Sequence, residues 1–289
     1  MNLSCRLNKQ VRYVLGASVL AMALAACSSS PTGRNQVLLY DAQQMNGLGA
    51  QSFAEIKKNE TILEDPAVNA YVQCITNAIT KEIPPSFGEG VWEVVVFDSE
   101  QVNAFALPGG HIGVYTGLMN VATNQSQLGT VIGHEISHVL ARHSNERLSR
   151  EQIAGIGATA AAIAIGVSDM DNKGAAMAAL GLGVQFGVLL PYGRAQESEA
   201  DMIGLELMAR AGFDPQESVN LWRNMAKESG GGPPELLSTH PSHDTRISDL
   251  QRAMPQAEQL KLAARAQSKN PKCTTPKIPK PKAKSKSKA

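Results

Sequence analysis

The stretch His134-Glu135-Ile136-Ser137-His138 decides how the rest of this sequence is read. It lies in an apolar-periodic run that predicts a helix from about Gln125 to Leu148, with Asn124 as its candidate N-cap. On a helix, residues four apart share a face with Cβ atoms about 5–6 Å apart, so both imidazoles can converge on one metal ion. Glu135 is offset around the helix, which brings its carboxylate beside a water on that ion rather than onto the ion itself. One helical turn thus offers two ligands and a general base for hydrolysis. The competing reading is an amphipathic helix that carries these residues by accident.

A hydrolytic zinc site needs a third protein ligand and an open fourth position. The metzincin pattern is excluded, because Ala141 and Ser144 stand where its glycine and histidine would be. His143 lies about 140° from His138 around a continuous helix and reads as a structural or surface histidine. The cluster Glu197-Ser198-Glu199-Ala200-Asp201 is the stronger source. Glu197 and Asp201 are again four apart, so a second helix can offer Glu197 to the metal and Asp201 to an imidazole N–H. Glu199 points to the other side and is expected to be solvated. The same cluster also reads as an exposed acidic helix face.

Around these motifs the chain divides into segments. Residues 1–26 carry Arg6, Lys9 and Arg12, then an apolar run from Tyr13 to Leu24, and read as a signal peptide. Leu24-Ala25-Ala26-Cys27 resembles the bacterial lipobox, which predicts lipidation of Cys27 and a membrane attachment through that lipid. Ser28 after the cysteine favours the outer membrane, with the body in the periplasm. Residues 27–36 are expected to be a flexible lipid-proximal tether. Residues 37–268 form the domain, and residues 269–289, rich in Lys and Pro, are expected to be disordered.

Within the domain, residues 41–82 show helical spacing, with Met45, Leu48, Phe53, Ile56, Val68, Tyr71, Ile75 and Ile79 as inner faces. Residues 91–97 read as a strand, and residues 103–107 and 111–115 as a hairpin around Pro108-Gly109-Gly110. The Ala/Gly/Ile/Leu-rich stretch 153–190 is interrupted near 168–173, and each half is too short to span a bilayer, which predicts a buried or membrane-facing helical hairpin. Further helices are expected over about 195–211, after Asp214-Pro215, and over 244–254.

The net charge of +1 pools unlike parts. Three of the 27 basic residues lie in the leader and eight in the last segment, leaving 16 against 26 acidic residues between them, or about −10. The basic tail could meet an anionic envelope polymer; no nucleic-acid partner is expected. A hydrophobic fraction of 43% excludes wholesale disorder, while 25 Gly and only 4% aromatics suit closely packed helices. After loss of the leader and lipidation, Cys74 and Cys273 remain, either as one disulfide or as two free thiols.

Taken together, His134-Glu135-x-x-His138, Glu197-x-x-Ala200-Asp201, Asn103-Ala104-Phe105-Ala106-x-Pro108-Gly109-Gly110, and His240-Pro241 with Arg246 resemble metallopeptidase family 48, in its lipoprotein or periplasmic branch. The resemblance covers roughly residues 33–255. It implies an α+β, predominantly helical, zincin-like fold with a small sheet or hairpin beside the active-site helix. It also implies one zinc ion per chain on His134, His138 and Glu197, with Glu135 as general base toward a zinc-activated water. Substrates would be proteins or peptides, often misfolded or misassembled envelope proteins. His240 and Arg246 are catalytic candidates, as a second donor to the oxyanion and its support; His240 could instead be a fourth ligand or an ordinary loop histidine. Asn103, Ala104, Phe105 and Ala106 could form an edge strand that pairs with substrate backbone, or a plain core hairpin. The alternative function is a chaperone-like or anionic-polymer-binding lipoprotein with minor proteolysis. No repeat extension is visible after residue 255, so partner binding through repeats does not carry over.

Overall fold

Residues 28–36, expected as a flexible tether, fold back on themselves. Strand β1 (Cys27–Ser29) pairs antiparallel with β2 (Asn35–Val37), and Gly33, at φ 86°, makes the turn between them. The computed structural model describes residues 27–87, 90–167, 190–228 and 245–278. The signal peptide, the interruption at 168–173, His240 and the last eleven tail residues lie outside them.

Helix α1 (Ala42–Asn59) opens on a capping box between Asp41 and Gln44 and buries Met45, Gly49 and Phe53. Leu48, expected on the inner face, is exposed, and Gly49 takes that place. The reason is a close approach: a Cβ at Gly49 would stand 2.0 Å from the Pro108 carbonyl oxygen. Helix α2 (Pro66–Thr80) starts at Asp65, whose side chain accepts from the Ala67 and Val68 amides, and it buries Val68, Tyr71, Ile75 and Ile79 as the spacing requires.

Strand β3 (Glu93–Phe97) starts later than expected, since Val91 is exposed to solvent. It pairs parallel with β5 (His111–Tyr115), and β5 pairs antiparallel with β4 (Ala104–Leu107), so the order is β3-β5-β4 and β4 lies at an edge. The β4–β5 turn uses Gly109 and Gly110, at φ 91° and 84°, where a side chain would be strained. Alternation divides the strands between two faces. Val96, Ala104, Ala106, Ile112 and Val114 enter the main core, whereas Phe97 and Tyr115, with Phe105 against them, join Phe53 beneath α1.

Helix α3 (Gln125–Leu140) is capped by Asn124 and lies centrally, against α2 and β4 on one side. Its Leu128, Val131, Ile132 and Ile136 are core residues. The single helix expected to reach Leu148 is broken at Ala141 and Arg142, the latter at φ 55°. Helix α4 (His143–Val167) then sets off in a new direction. The remaining helices are α5 (Leu190–Arg210), α6 (Gln216–Glu228) and α7 (Thr245–Ala266), with α7 running on past its expected end through Pro255. Helices α5, α6 and α7 close around the other side of α3. The architecture is therefore α+β and mainly helical, as expected. Among the described residues, no helix is long and apolar enough to cross a membrane.

Residues 269–278, expected to be disordered, lie against the domain. Cys273 is joined to Cys74 of α2 by a disulfide, with Cα atoms 5.8 Å apart. Gln125 accepts from the Cys273 amide and donates to the Pro271 carbonyl, and Lys269 meets Glu82. The bridge spans a separation of 199 residues, so closing that loop restricts the unfolded chain strongly, by about 5 kcal/mol on the chain-entropy account. Replacing both Cys74 and Cys273 by Ser should lower the thermal midpoint by roughly 5–15 °C, read by calorimetry or circular dichroism.

Candidate metal centre

Helices α3 and α5 cross at two glycines. A Cβ on Gly204 would stand 2.8 Å from the His134 backbone nitrogen, and one on Gly133 would stand 3.0 Å from the Gly204 carbonyl oxygen. This contact brings the acidic turn of α5 against the histidine turn of α3. His134 and His138 face each other with ring centroids 4.7 Å apart and Nε2 atoms 3.0 Å apart. Glu197 reaches between them, with Oε2 3.3 Å from His134 Nε2 and Oε1 3.5 Å from His138 Nε2. Zinc–ligand bonds of about 2.0–2.1 Å in a tetrahedron give ligand edges of about 3.3 Å. The two nitrogens and the carboxylate therefore fit zinc, and among the described residues they form a group able to hold a metal. Glu135, from the same helical turn, is buried as well.

The His134 ring is held from behind. Its Nδ1 lies 3.0 Å from Asp201 Oδ1, and Arg246 donates to both Asp201 oxygens at 2.6 and 2.7 Å. With Asp201 accepting from the guanidinium, His134 must donate through Nδ1–H, which leaves the Nε2 lone pair for the metal. Burial alone would depress the His134 imidazole, but its bonds to Asp201 and Glu197 outweigh this and push it up to about 9 in the metal-free protein, so a metal binding at Nε2 would displace a proton there. Burial would likewise raise the Asp201 carboxyl, yet Arg246 and His134 hold it below the usual carboxylate range. Arg246 is 2% exposed, stacks on Trp222 at 3.9 Å, and also lies 3.3 Å from Glu197. Expected as the support of an oxyanion donor, Arg246 is here buried with its guanidinium against the carboxylates of Asp201 and Glu197.

His138 is held by residues whose role the sequence reading missed. Because α3 breaks after Leu140, His143 comes back beside His138, with the two Nδ1 atoms 2.8 Å apart. His143 Nε2 lies 3.2 Å from Glu199 Oε2. Glu199 is buried rather than solvated, and it also accepts from Thr32 Oγ1 at 2.6 Å and Arg34 Nε at 2.9 Å. Burial favours its neutral form, but His143, Ser30, Thr32 and Arg34 together pull it well below the usual range. No Gly or Pro marks the helix break, so the only usable signal was the proximity of a third histidine to the pentad. On the His138 side a cleft of about 840 Å³ opens between α1, the Pro108–Gly110 turn and the α3–α4 break.

Among the remaining expected residues, Ala104 and Ala106 face the core, Phe105 lies under α1, and Asn103 accepts from the Ala104 amide. Their strand is both a sheet edge and a neighbour of α3.

Two imidazoles from one helical turn and a glutamate from a neighbouring helix define a zincin-type metal centre with a carboxylate third ligand. The chain belongs to peptidase family M48, whose profile matches residues 53–254. It is similar to "Metalloendopeptidase OMA1, mitochondrial" of Bos taurus, 33% identical over 248 residues, covering 81% of this chain and 47% of the relative. The "Mitochondrial metalloendopeptidase OMA1" of Arabidopsis thaliana is 38% identical over 175 residues, 60% of this chain and 34% of that protein. The "Beta-barrel assembly-enhancing protease" of Yersinia pestis is 30% identical over 212 residues, 72% and 42% respectively. The chain spans about half the length or less of these relatives.

Two substitutions test the geometry. Gly204→Ala places a methyl against backbone that cannot yield, so it should cost about 1–3 kcal/mol in denaturant unfolding and weaken zinc binding as α5 is pushed away. Asp201→Asn should keep the fold but lower zinc affinity about 10–100-fold in chelator competition.

Proposed function

We propose that this protein is a zinc endopeptidase of the bacterial envelope, anchored by lipid at Cys27 and acting on misfolded or misassembled envelope proteins. The observation that carries this reading is the convergence of His134, His138 and Glu197 with Glu135 buried on the same helical turn. Zinc held there would polarise a scissile carbonyl and make water a stronger acid. Glu135 accepts the proton of the attacking water and returns it to the leaving amine. Asp201 and His143 keep the two imidazoles turned so that Nε2 is available, and Arg246 keeps Asp201 and Glu197 in place. The edge strand β4, beside α3, is the surface on which an extended substrate can add by backbone pairing, which gives broad rather than sequence-strict selection. His240, outside the described residues, keeps its candidacy as an oxyanion donor or a fourth ligand.

The envelope setting is supported by the Leu24-Ala25-Ala26-Cys27 motif and by similarity to a bacterial protease named for β-barrel assembly. Similarity to mitochondrial metalloendopeptidases supports the peptidase reading and does not bear on the compartment. Glu135→Gln should retain zinc and fold while cleavage of an unfolded protein such as casein falls by 10²-fold or more. Equal cleavage by the variant, or none by zinc-loaded wild type, would defeat the peptidase reading.

A further inference from the structure

We propose that the strap Ser30–Arg34, directly after the β1 strand, is a working part of the metal centre that fixes the ring of His138. The strap reaches that ligand through three successive hydrogen-bonded contacts. Arg34 splits its guanidinium between two buried carboxylates: Nε donates to Glu199, and Nη1 and Nη2 each donate to a Glu146 oxygen at 2.7 Å. Thr32 donates to the other Glu199 oxygen through its hydroxyl. Glu199 accepts from His143, and the Nδ1 atoms of His143 and His138 share the last hydrogen bond.

The donor pattern along this chain has one consistent direction. Glu199, engaged by Arg34 and Thr32, accepts from His143 Nε2–H. A neutral His143 then has a lone pair at Nδ1, so His138 donates through its own Nδ1–H and keeps the Nε2 lone pair toward Glu197 and His134. The far side of the centre is built on the same plan from Asp201 and Arg246. Thr32 and Arg34, near the start of the folded part of the chain, thus complete the support of the second ligand.

Its place in the chain gives this support a second meaning. Thr32 is five residues from Cys27, a reach of at most about 18 Å even when extended. The element that orients His138 is therefore also the element through which a lipid at Cys27 would hold the protein. Undocking of the strap at the membrane would loosen His143 and the ligand behind it. Arg34 and Thr32 act through other residues, and so are positioning residues.

The inference rests on the zinc reading above, and its test separates the two. Full-length Arg34→Ala, Arg34→Lys and Thr32→Val would be compared with wild type and with Lys57→Ala, which removes a distant surface pair with Glu93. The measurements are zinc affinity by chelator competition, the visible absorption of the cobalt-substituted site, and far-ultraviolet circular dichroism of the metal-free chains. Arg34→Ala should bind zinc about 10–100-fold more weakly with an altered cobalt spectrum. Arg34→Lys should recover only part, because an ammonium cannot fork between two carboxylates. Thr32→Val, which keeps shape and removes one donor, should weaken zinc by a few-fold, and it carries the test if Arg34→Ala does not fold. Lys57→Ala should match wild type. A folded Arg34→Ala, or Thr32→Val in its place, with wild-type zinc affinity and cobalt spectrum overturns the strap's role alone. Wild type that takes up no zinc overturns the zinc reading and this inference together.

Discussion

Helices α3 and α5 meet at glycine on both sides, and the metal centre depends on that contact. Backbone runs against backbone at Gly133 and Gly204, close enough that a methyl on Gly204 would fall 2.8 Å from the His134 nitrogen. Only at such a separation can the short side chain of Asp201 reach the back of one imidazole while Glu197, one turn earlier, reaches between both. Larger residues at the crossing would hold the helices further apart, where a carboxylate could still neutralise a histidine across the gap but could not share a metal with it. The rest of the fold serves this crossing: α2 and the sheet support α3 from one side, and α6 and α7 close the other.

A second consequence is an unusual load of buried charge. Glu146, Glu199, Asp201, Arg246, His134 and Glu135 are all nearly inaccessible. Burying charge is costly unless each group is paired and hydrogen-bonded, and hydrophobic substitutes of similar volume are often as stable. Here the pairing is dense: Arg246 is held charged by Asp201 and Glu197, and Arg34 by Glu146 and Glu199, in each case against the opposing effect of burial. Stability alone gives little reason to keep such networks. Their value lies in orientation, since each ends on the Nδ1 side of a ligand histidine and so decides which nitrogen faces the metal.

The sequence and structure agree most closely where the physics is local. The N-cap Asn124, the buried face of α2 and the two-glycine turn after Pro108 all follow from short-range rules, and each is found. The departures share a different cause. Leu48 turns outward because α1 lies on a backbone carbonyl that only Gly49 can approach. Residues 28–36 and 269–278 have the composition of linkers, yet both are ordered by partners far along the chain, the first by Glu146 and Glu199 and the second by Gln125 and Cys74. Composition measures how much apolar surface a segment can bury, and neither segment is held chiefly by apolar burial.

By itself, the sequence determined the elements that a single turn of helix can encode: His134, Glu135 and His138 on one stripe, Glu197 and Asp201 on another, and the Asn124 cap that starts the first of the helices bearing them. Spacing suffices there because helical geometry is fixed at 3.6 residues per turn. Only the tertiary structure decided what stands behind those residues. The break at Ala141 and Arg142 carries no sequence signal, yet it alone turns His143 back toward His138. Glu199 looked solvated because its partners, Thr32 and Arg34, lie more than 160 residues away. Long-range pairing of that kind is set by how the whole chain packs, and no local periodicity records it.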